Sequence, residues 1–203
     1  MIKDRRVVWH GENSINNMLI LASKSPRRQE ILKKYGYDFE VLLSNANENV
    51  ENLSAKNTVE YLSRIKALSV YERVNENYVV IGADTVVEFD GKILGKPKTQ
   101  TEAYDMLKSM IGKSHNVYTG ITIVTKDKRI TESVLSTVKF NNLSEEFILE
   151  YIKTGSPMDK AGAYGIQDGN IVEKYNGSYY NIVGLPIERL SEILFSFGVT
   201  PKK

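Results

Sequence analysis

The sequence predicts an α/β fold in which helices cover a mixed β-sheet. Three observations predict it: short apolar runs typical of buried strands, apolar residues at helical spacing, and turn signals between these segments. Both patterns recur along most of the chain without an internal repeat or a low-complexity tract. A chain of 203 residues suits one domain, which we expect over residues 18–203, after a polar extension over residues 1–17.

Strand and helix patterns alternate in the first half of the chain. Ser25 and Pro26 are typical of a helix start, and Gly36 is typical of a helix end. Asp90 and Gly91 suit a two-residue hairpin turn. The predicted elements are a strand over 18–22, a helix between 25 and 36, a helix over 58–73, a strand over 78–82, and a hairpin with strands over 85–89 and 92–94.

The second half continues the same alternation. Thr99 and Glu102 form a capping-box pattern, and Ser144 caps a later helix. Asn176 and Gly177 are expected to join two segments rich in β-forming residues. The predicted elements are a helix before Gly112, strands over 116–125 and 130–140, a helix after Ser144, a glycine-rich loop over 155–169, strands over 171–175 and 178–183, and a helix from Pro186 to Gly198.

Composition excludes several classes of function. With 27 basic and 25 acidic residues the net charge is +2, whereas a general nucleic-acid binder would show a strong basic excess. The chain has no cysteine, which excludes disulfides and thiolate metal sites and fits a cytoplasmic compartment. No apolar stretch approaches the ~20 residues of a transmembrane helix, so no membrane partner is expected.

The first candidate site is SKSPRR, residues 23–28, at the junction of a buried strand and a helix start. Free backbone N–H groups at a helix N-terminus favour an anion. Ser23 and Ser25 add hydroxyls there, and Arg27 and Arg28 can hold phosphate by paired hydrogen bonds. Solvated basic residues on an ordinary capped helix are the alternative, but cations oppose the helix dipole in a first turn, and this favours a bound phosphate.

Asp84 and Lys66 are further candidates. Asp84 follows an apolar strand, where ligands gather in open α/β sheets, and it could bind Mg²⁺ or activate water. Alternatively, it satisfies backbone donors in a turn. Lys66 shares the apolar stripe of its helix with Val59 and Leu62. An inward lysine needs a phosphate or a carboxylate such as Asp84 or Glu48, unless it extends to solvent.

Two weaker candidates lie later in the chain. Lys96 follows the hairpin, where a solvated lysine is the default interpretation. In the loop over 159–168, Tyr164 could stack on a base and Gln167 could recognise its edge, although a structural turn around a buried tyrosine is the favoured alternative. His115 has no histidine neighbour at zinc-ligand spacing and is discounted.

Four motifs in this order resemble those of the Maf family. They span almost all of residues 18–197, and the resemblance implies a twisted mixed sheet with two lobes around a deep cleft, shared in outline with inosine-triphosphate pyrophosphatases. The motifs are LASKSPRRQEIL at 21–32, GADTVV at 82–87 with DGKILGKP at 90–97, DKAGAYGIQ at 159–167, and NGSYYNIVGLP at 176–186.

The resemblance also implies an activity and a set of site residues. The activity is hydrolysis of dTTP and UTP, with CTP or modified pyrimidine nucleotides as further substrates, to a nucleoside monophosphate and pyrophosphate. A homodimer and a divalent metal, Mg²⁺ or Mn²⁺, are implied with it. The implied roles are phosphate binding by Ser23, Ser25, Arg27 and Arg28, charge neutralisation by Lys66 and Lys96, metal and water binding by Glu48 and Asp84 with Asp84 as base, and nucleotide selection by Thr85 and Gln167 with one of the arginines.

Two other functions remain open at this stage. The same scaffold could cleave purine triphosphates or 7-methyl-GTP. A nucleotide-binding regulator of septum formation is the alternative from another class, because Maf proteins have been associated with division control. Carboxylates beside a phosphate site favour catalysis over binding alone, so we expect an enzyme whose partner is a small nucleotide and not a nucleic acid.

Overall fold

The computed structural model describes residues 18–74 and 77–202. The predicted extension over residues 1–17 therefore lies outside the described residues. The elements in chain order are β1 (Met18–Leu21), α1 (Pro26–Lys34), β2 (Phe39–Val41), α2 (Ala55–Tyr71), β3 (Tyr78–Phe89), β4 (Lys92–Leu94), α3 (Gln100–Met110), β5 (Ser114–Val124), β6 (Arg129–Phe140), α4 (Glu145–Lys153), two 3₁₀ turns (Ser156–Asp159 and Ala161–Ala163), β7 (Val172–Asn176), α5 (Tyr179–Val183) and α6 (Ile187–Ser196).

The strands form one seven-stranded mixed sheet. Its order is β2-β1-β3-β5-β6-β7, and the short β4 pairs with β3. β1 runs parallel to β2 and β3, whereas all other neighbours are antiparallel. This arrangement confirms the predicted mixed sheet with helices. None of the described helices has the length and apolar character needed to cross a membrane.

Two apolar cores share one face of the long strands β3 and β5. Ala83 and Ile121 belong to the first core, which packs against α1 and α6. Val87 and Val117 belong to the second, which packs against α3 and α4. Helix α2 covers the opposite face, where Val80 and Val124 contact it. The gap between the two cores agrees with the two-lobed arrangement that the resemblance implies.

The prediction of two strands around Asp84 was wrong. β3 is continuous from Tyr78 to Phe89, so Asp84 lies within a strand and not in a turn. β1 pairs with β3 only up to the Leu21–Ile81 pair, and β4 pairs with it only from Val87. Asp84 therefore lies just beyond the carboxyl end of the parallel β1, beside a stretch of β3 edge that neither strand covers.

The predicted strand over 178–183 was also wrong, because the structure has helix α5 there. The Ser178 hydroxyl caps this helix by accepting from the Asn181 backbone N–H. Asn181 is buried, and its amide donates to the Val117 carbonyl and the Ser136 hydroxyl. These tertiary hydrogen bonds outweigh the local β propensity of the segment.

Smaller differences concern element boundaries. α2 begins three residues earlier than predicted, because Ser54 caps it through the Asn57 N–H. The three-residue edge strand β2 was not predicted, since it is too short for a recognisable period. The remaining predicted helices and strands are confirmed to within a few residues.

His115 supplies a buried titratable group that should make stability depend on pH. Its ring packs edge-on against Phe140 and bonds the Tyr164 hydroxyl at 2.7 Å. Burial lowers its pKa from 6.5 to about 4. The unfolded chain therefore takes up the proton first as pH falls, so the folded state loses stability between these two values.

We expect the free energy of unfolding to fall by up to roughly 3 kcal/mol from this group over that pH interval. Urea unfolding at pH 7, 5.5 and 4.5 measures it. A His115→Gln variant cannot titrate, so its deficit relative to wild type should shrink as the pH falls. Equal pH slopes for the two proteins would contradict the prediction.

Candidate active site

A cleft lies beside the stretch of β3 that follows its pairing with β1 and precedes its pairing with β4. It consists of two adjoining cavities of about 250 and 410 Å³, a size suited to a small-molecule ligand. Thr85, Gln167 and Gly184 line the first, and Ser23 and Lys24 line the second. The residues that line both are Ser25, Arg27, Arg28, Glu48, Lys66, Lys96 and Asp159. The structure thus brings all ten predicted site residues to one cleft, while their roles stay predictions.

Lys66 joins the two acidic candidates. Its Nζ lies 2.7 Å from Asp84 Oδ1 and 2.9 Å from Glu48 Oε2. The Lys66 side chain is only 11% exposed and Asp84 13%, whereas Glu48 is 52% exposed. Of the alternatives left open for an inward Lys66, the structure shows the carboxylate partners, Asp84 and Glu48. Two carboxylate oxygens thus contact one ammonium group. Glu48, which lies in a loop, is the more exposed of the two acidic partners.

These two carboxylates are also the residues that could hold a divalent metal. The described part of the chain contains no cluster of three or more metal-ligating side chains. Mg²⁺ commonly uses one or two carboxylates and completes its shell with substrate phosphates and water. Asp84 and Glu48 fit that donor set, and the Lys66 ammonium marks a point between them where positive charge is stabilised.

The loop before α1 presents unused polar groups to the cleft. Ser25 occupies the N-cap position, but its hydroxyl makes no capping bond. No acidic side chain occupies the first turn of α1, where the helix dipole favours an anion. The N-terminus of α1 is consequently available to a ligand that brings its own negative charge.

Arg28 is fixed inside the cleft by three acceptors. Its Nε donates to the Gly184 carbonyl at 2.8 Å, Nη1 to the Ser23 hydroxyl at 3.0 Å, and Nη2 to the Thr85 hydroxyl at 3.1 Å. Burial lowers the pKa of this guanidinium, and the nearby Asp84 charge opposes that effect. No carboxylate of the described residues bonds Arg28 directly, so its charge is left for an anionic ligand.

Arg27 is held at the cleft wall by the loop after α4. Its guanidinium bonds both the side chain of Asp159, at 2.7 Å, and the Asp159 carbonyl, at 3.0 Å. Lys160 is buried beside it and bonds Asp159 at 2.9 Å and the Ser156 carbonyl at 2.6 Å. Sequence reasoning gave no role to Asp159 or Lys160, although both lie in the third motif.

Lys96 and Gln167 face the cleft without protein partners. Neither side chain makes a hydrogen bond or an ion pair within residues 18–74 and 77–202, and both are exposed. Partial burial and the neighbouring charges of Arg28 and Arg27 lower the pKa of Lys96. A cation surrounded by other cations indicates a place where an anion is favourable.

Tyr164 belongs to the core, as the favoured alternative predicted. It is 5% exposed, and its ring packs edge-on against Phe140 and His115. Burial raises the pKa of its hydroxyl. Tyr164 contributes to the wall of the first cavity, but its packed ring is not free to stack on a base. Gly184 is a further residue that sequence reasoning missed, because its carbonyl reaches Arg28 only through the position of α5.

The charges of the cleft indicate the class of ligand. Its first cavity is lined by five basic and three acidic side chains, with two of the acids paired to one lysine. Unpaired basic groups and a free helix N-terminus favour a phosphorylated molecule. The fold and site thus define a protein with a cleft for a small phosphorylated ligand beside a pair of carboxylates.

Comparison with known proteins identifies the family. Residues 18–197 match the Maf-like protein family, and the chain belongs to that family. A relative from Clostridium novyi is 49% identical over 187 residues, covering 89% of this chain and 98% of that protein. One from Thermococcus gammatolerans is 52% identical over 173 residues, covering 84% and 92%. Both are named dTTP/UTP pyrophosphatase.

A more distant likeness is to a solved structure. A HAM1 protein from Coxiella burnetii superposes with a TM-score of 0.48 at 13% identity, covering 89% of this chain and 99% of that chain.

Proposed function

We propose that this protein hydrolyses dTTP and UTP to the nucleoside monophosphate and pyrophosphate. One observation carries the proposal: Arg28 and Lys96, which have no carboxylate partner among the described residues, share one cleft with the carboxylates Asp84 and Glu48. The names of relatives that match almost their full length support the choice of substrates. The same cleft accommodates further pyrimidine triphosphates such as CTP.

The phosphate chain binds along the cationic side of the cleft. Ser25 and the N-terminus of α1 receive phosphate oxygens, and Ser23 keeps Arg28 directed towards them. Lys96 neutralises phosphate charge beside these arginines, since no acidic side chain in the described part of the chain bonds it. Arg27 joins them when a phosphate replaces Asp159 as its partner. Groups fixed before the reaction stabilise the charge that develops on the leaving pyrophosphate.

Asp84 acts on the attacking water. It accepts a proton from the water as the oxygen bonds to the α-phosphorus, and the bond from that phosphorus to the oxygen bridging to the β-phosphate breaks. The leaving pyrophosphate carries away the bonding electron pair. Lys66 holds Asp84 in place through an ion pair of 2.7 Å. This general-base role requires the water to lie within hydrogen-bond reach of Asp84.

We propose that Asp84 and Glu48 hold Mg²⁺ or Mn²⁺ together with the nucleotide. A bound metal ion would supply positive charge that offsets the charge on the phosphates. Lys66 then exchanges part of its contact with these carboxylates for contact with phosphate oxygens. The greater exposure of Glu48 supports such a rearrangement, because a loop carboxylate moves with little loss of packing.

The base lies towards the first cavity, where Gln167 and Thr85 are found. The Gln167 amide has both a donor and an acceptor, as recognition of a pyrimidine edge requires. Gln167 is exposed and makes no hydrogen bond with the residues that the structure describes, so it is available to bind the base. The homodimer and the cytoplasmic location implied by the family resemblance stay predictions.

The proposal predicts turnover of dTTP and UTP, with slower release of pyrophosphate from GTP, ITP and 7-methyl-GTP. Pyrophosphate release across this panel, with the monophosphate identified by chromatography, measures it. Removal of divalent metal with a chelator should abolish turnover, and added Mg²⁺ or Mn²⁺ should restore it. A preference for purines would overturn the assigned substrates, and binding without any turnover would overturn the hydrolytic role.

A further inference from the structure

Thr119 on β5 is a buried hydroxyl to which neither the sequence motifs nor the proposed mechanism gives a role. It is fully buried and lies directly opposite Thr85 in the β3–β5 ladder. The two hydroxyl oxygens are 2.9 Å apart. Thr119 also bonds the Asn181 carbonyl at 2.9 Å, and Arg28 bonds Thr85 at 3.1 Å. Four residues thus form one continuous hydrogen-bonded chain that ends in the cleft.

The chemistry of the two ends fixes the direction of every bond in this chain. A guanidinium can only donate and a carbonyl can only accept, whereas each threonine has one proton. Arg28 therefore donates to Thr85, and Thr119 donates to the Asn181 carbonyl. Because the Thr119 proton is already used, the bond between the hydroxyls runs from Thr85 to Thr119. The Thr85 proton is committed within the protein and is not available to a nucleotide.

The position of the threonine pair explains why it can hold Arg28 rigidly. On the shared sheet face, Thr85 follows Ala83 of the first core and precedes Val87 of the second. The hydrogen-bonded chain continues from Thr119 to Asn181 on α5. The Asn181 side-chain amide in turn donates to β5 and β6. The same helix is followed by Gly184, whose carbonyl accepts from Arg28 Nε. Arg28 is therefore tied to α5 both directly and through the two threonines.

We propose that Thr119 is a positioning residue for nucleotide binding. The Thr119 oxygen accepts a hydrogen bond from the Thr85 hydroxyl, so the Thr85 oxygen presents its lone pairs to Arg28 and keeps that guanidinium at the phosphate site. Thr85 accordingly influences substrate choice as an acceptor for Arg28, and not as a donor to the nucleotide. The inference rests on the proposed function, since it takes Arg28 to bind the substrate.

A Thr119→Val substitution keeps the shape and removes the acceptor. The Thr85 hydroxyl then needs another acceptor. The Gly184 carbonyl lies 3.5 Å away, but it already accepts from Arg28. We expect KM for dTTP to rise about 3- to 10-fold, the range of one net hydrogen bond, with kcat changed by less than about twofold. Thr119→Ser restores the hydroxyl and should restore KM.

Thr122→Val is the matched control. Thr122 is fully buried on the same strand but lies on the face that α2 covers. Its hydroxyl contacts Ser63 on α2 at 2.9 Å and Thr131 on β6 at 3.0 Å. This variant should lose comparable stability while KM stays at the wild-type value. An unchanged KM in Thr119→Val, or an equal rise in Thr122→Val, would overturn the proposal.

Combination with Thr85→Val tests whether Thr119 acts through Thr85. We expect Thr119→Val to raise KM no further in the Thr85→Val background, and additive effects would contradict the proposal. If Thr119→Val does not fold, Thr119→Ala removes the same hydroxyl with a smaller side chain and should raise KM by a similar factor.

Calorimetric titration with dTTP separates this inference from the proposed function. If wild-type protein binds dTTP but releases no pyrophosphate, the proposed hydrolysis fails. Weaker dTTP binding by Thr119→Val, but not by Thr122→Val, would still support the positioning role. Wild-type protein that binds no nucleotide would overturn both proposals.

Discussion

An Asp84→Asn variant is expected to bind dTTP but to lose about 10²- to 10³-fold in kcat, the usual cost of removing a key charged group from a reaction centre. Asparagine has the same shape, so the β3 backbone should not change. It cannot take up the proton of the attacking water, and it removes the negative charge that Lys66 contacts at 2.7 Å. Lys66 keeps Glu48 as a partner at 2.9 Å, so its ammonium group is not left without a counter-charge.

Pyrophosphate release under single-turnover conditions measures this effect, because it separates chemistry from product release. Thermal unfolding checks that the variant is folded. Asp105→Asn on the exposed side of α3 is a suitable control, since it removes a carboxylate away from the cleft. Turnover within a few-fold of wild type would show that Asp84 is neither the base nor an essential ligand.

The largest effect on stability is expected from Gly82→Ala. A Cβ atom at Gly82 would lie 2.1 Å from the Ser63 carbonyl oxygen and 2.7 Å from the Ala67 nitrogen, both in the backbone of α2. No side-chain rotation relieves such contacts, so the helix must move away from the sheet. Overpacking typically costs about 1–3 kcal/mol, and a backbone clash belongs at or above the upper end of that range.

We therefore expect the melting temperature of Gly82→Ala to fall by roughly 6–12 °C, by the usual conversion for a domain of this size. Gly95→Ala is the matched control, since an added Cβ there meets nothing within 4 Å and its φ is not positive. Turnover should fall as well, because Lys66 lies between the two contact points on α2. A melting temperature within about 2 °C of wild type would contradict the close approach of α2 to the sheet.

The effects expected of Asp84→Asn and Gly82→Ala both depend on the close packing of α2 against the sheet. Gly120 lies opposite Asp84 in the ladder, and a Cβ there would also meet the α2 backbone, 2.2 Å from the Val59 carbonyl oxygen. Two glycines that flank Asp84 thus allow α2 to lie directly on the sheet. The short distance from helix to strand brings the Lys66 ammonium to the carboxylate. The packing of α2 and the chemistry of the cleft depend on the same backbone contact.

Several features of this protein follow from its sequence alone. Apolar periodicity, together with caps and turn residues such as Ser144 and Gly91, was sufficient to predict most elements and the mixed α/β class. The inward position of Lys66 followed from helical spacing, because a charge on an apolar stripe requires a partner. The basic residues in the first turn of α1 predict an anion site, since such charges oppose the dipole of their own helix, and this site stays a prediction.

Only the tertiary structure decided how these parts meet. The segment at 178–183 has β-forming residues, yet Asn181 is held by β5 and β6 and the segment is helical. Helix α5 places the Gly184 carbonyl within hydrogen-bond distance of Arg28. Thr119 on β5 donates to the Asn181 carbonyl of the same helix. Bonds between residues far apart in the chain leave no periodic pattern in the sequence. Local propensities therefore predicted the elements, whereas long-range hydrogen bonds and the close packing of α2 determined the geometry of the cleft.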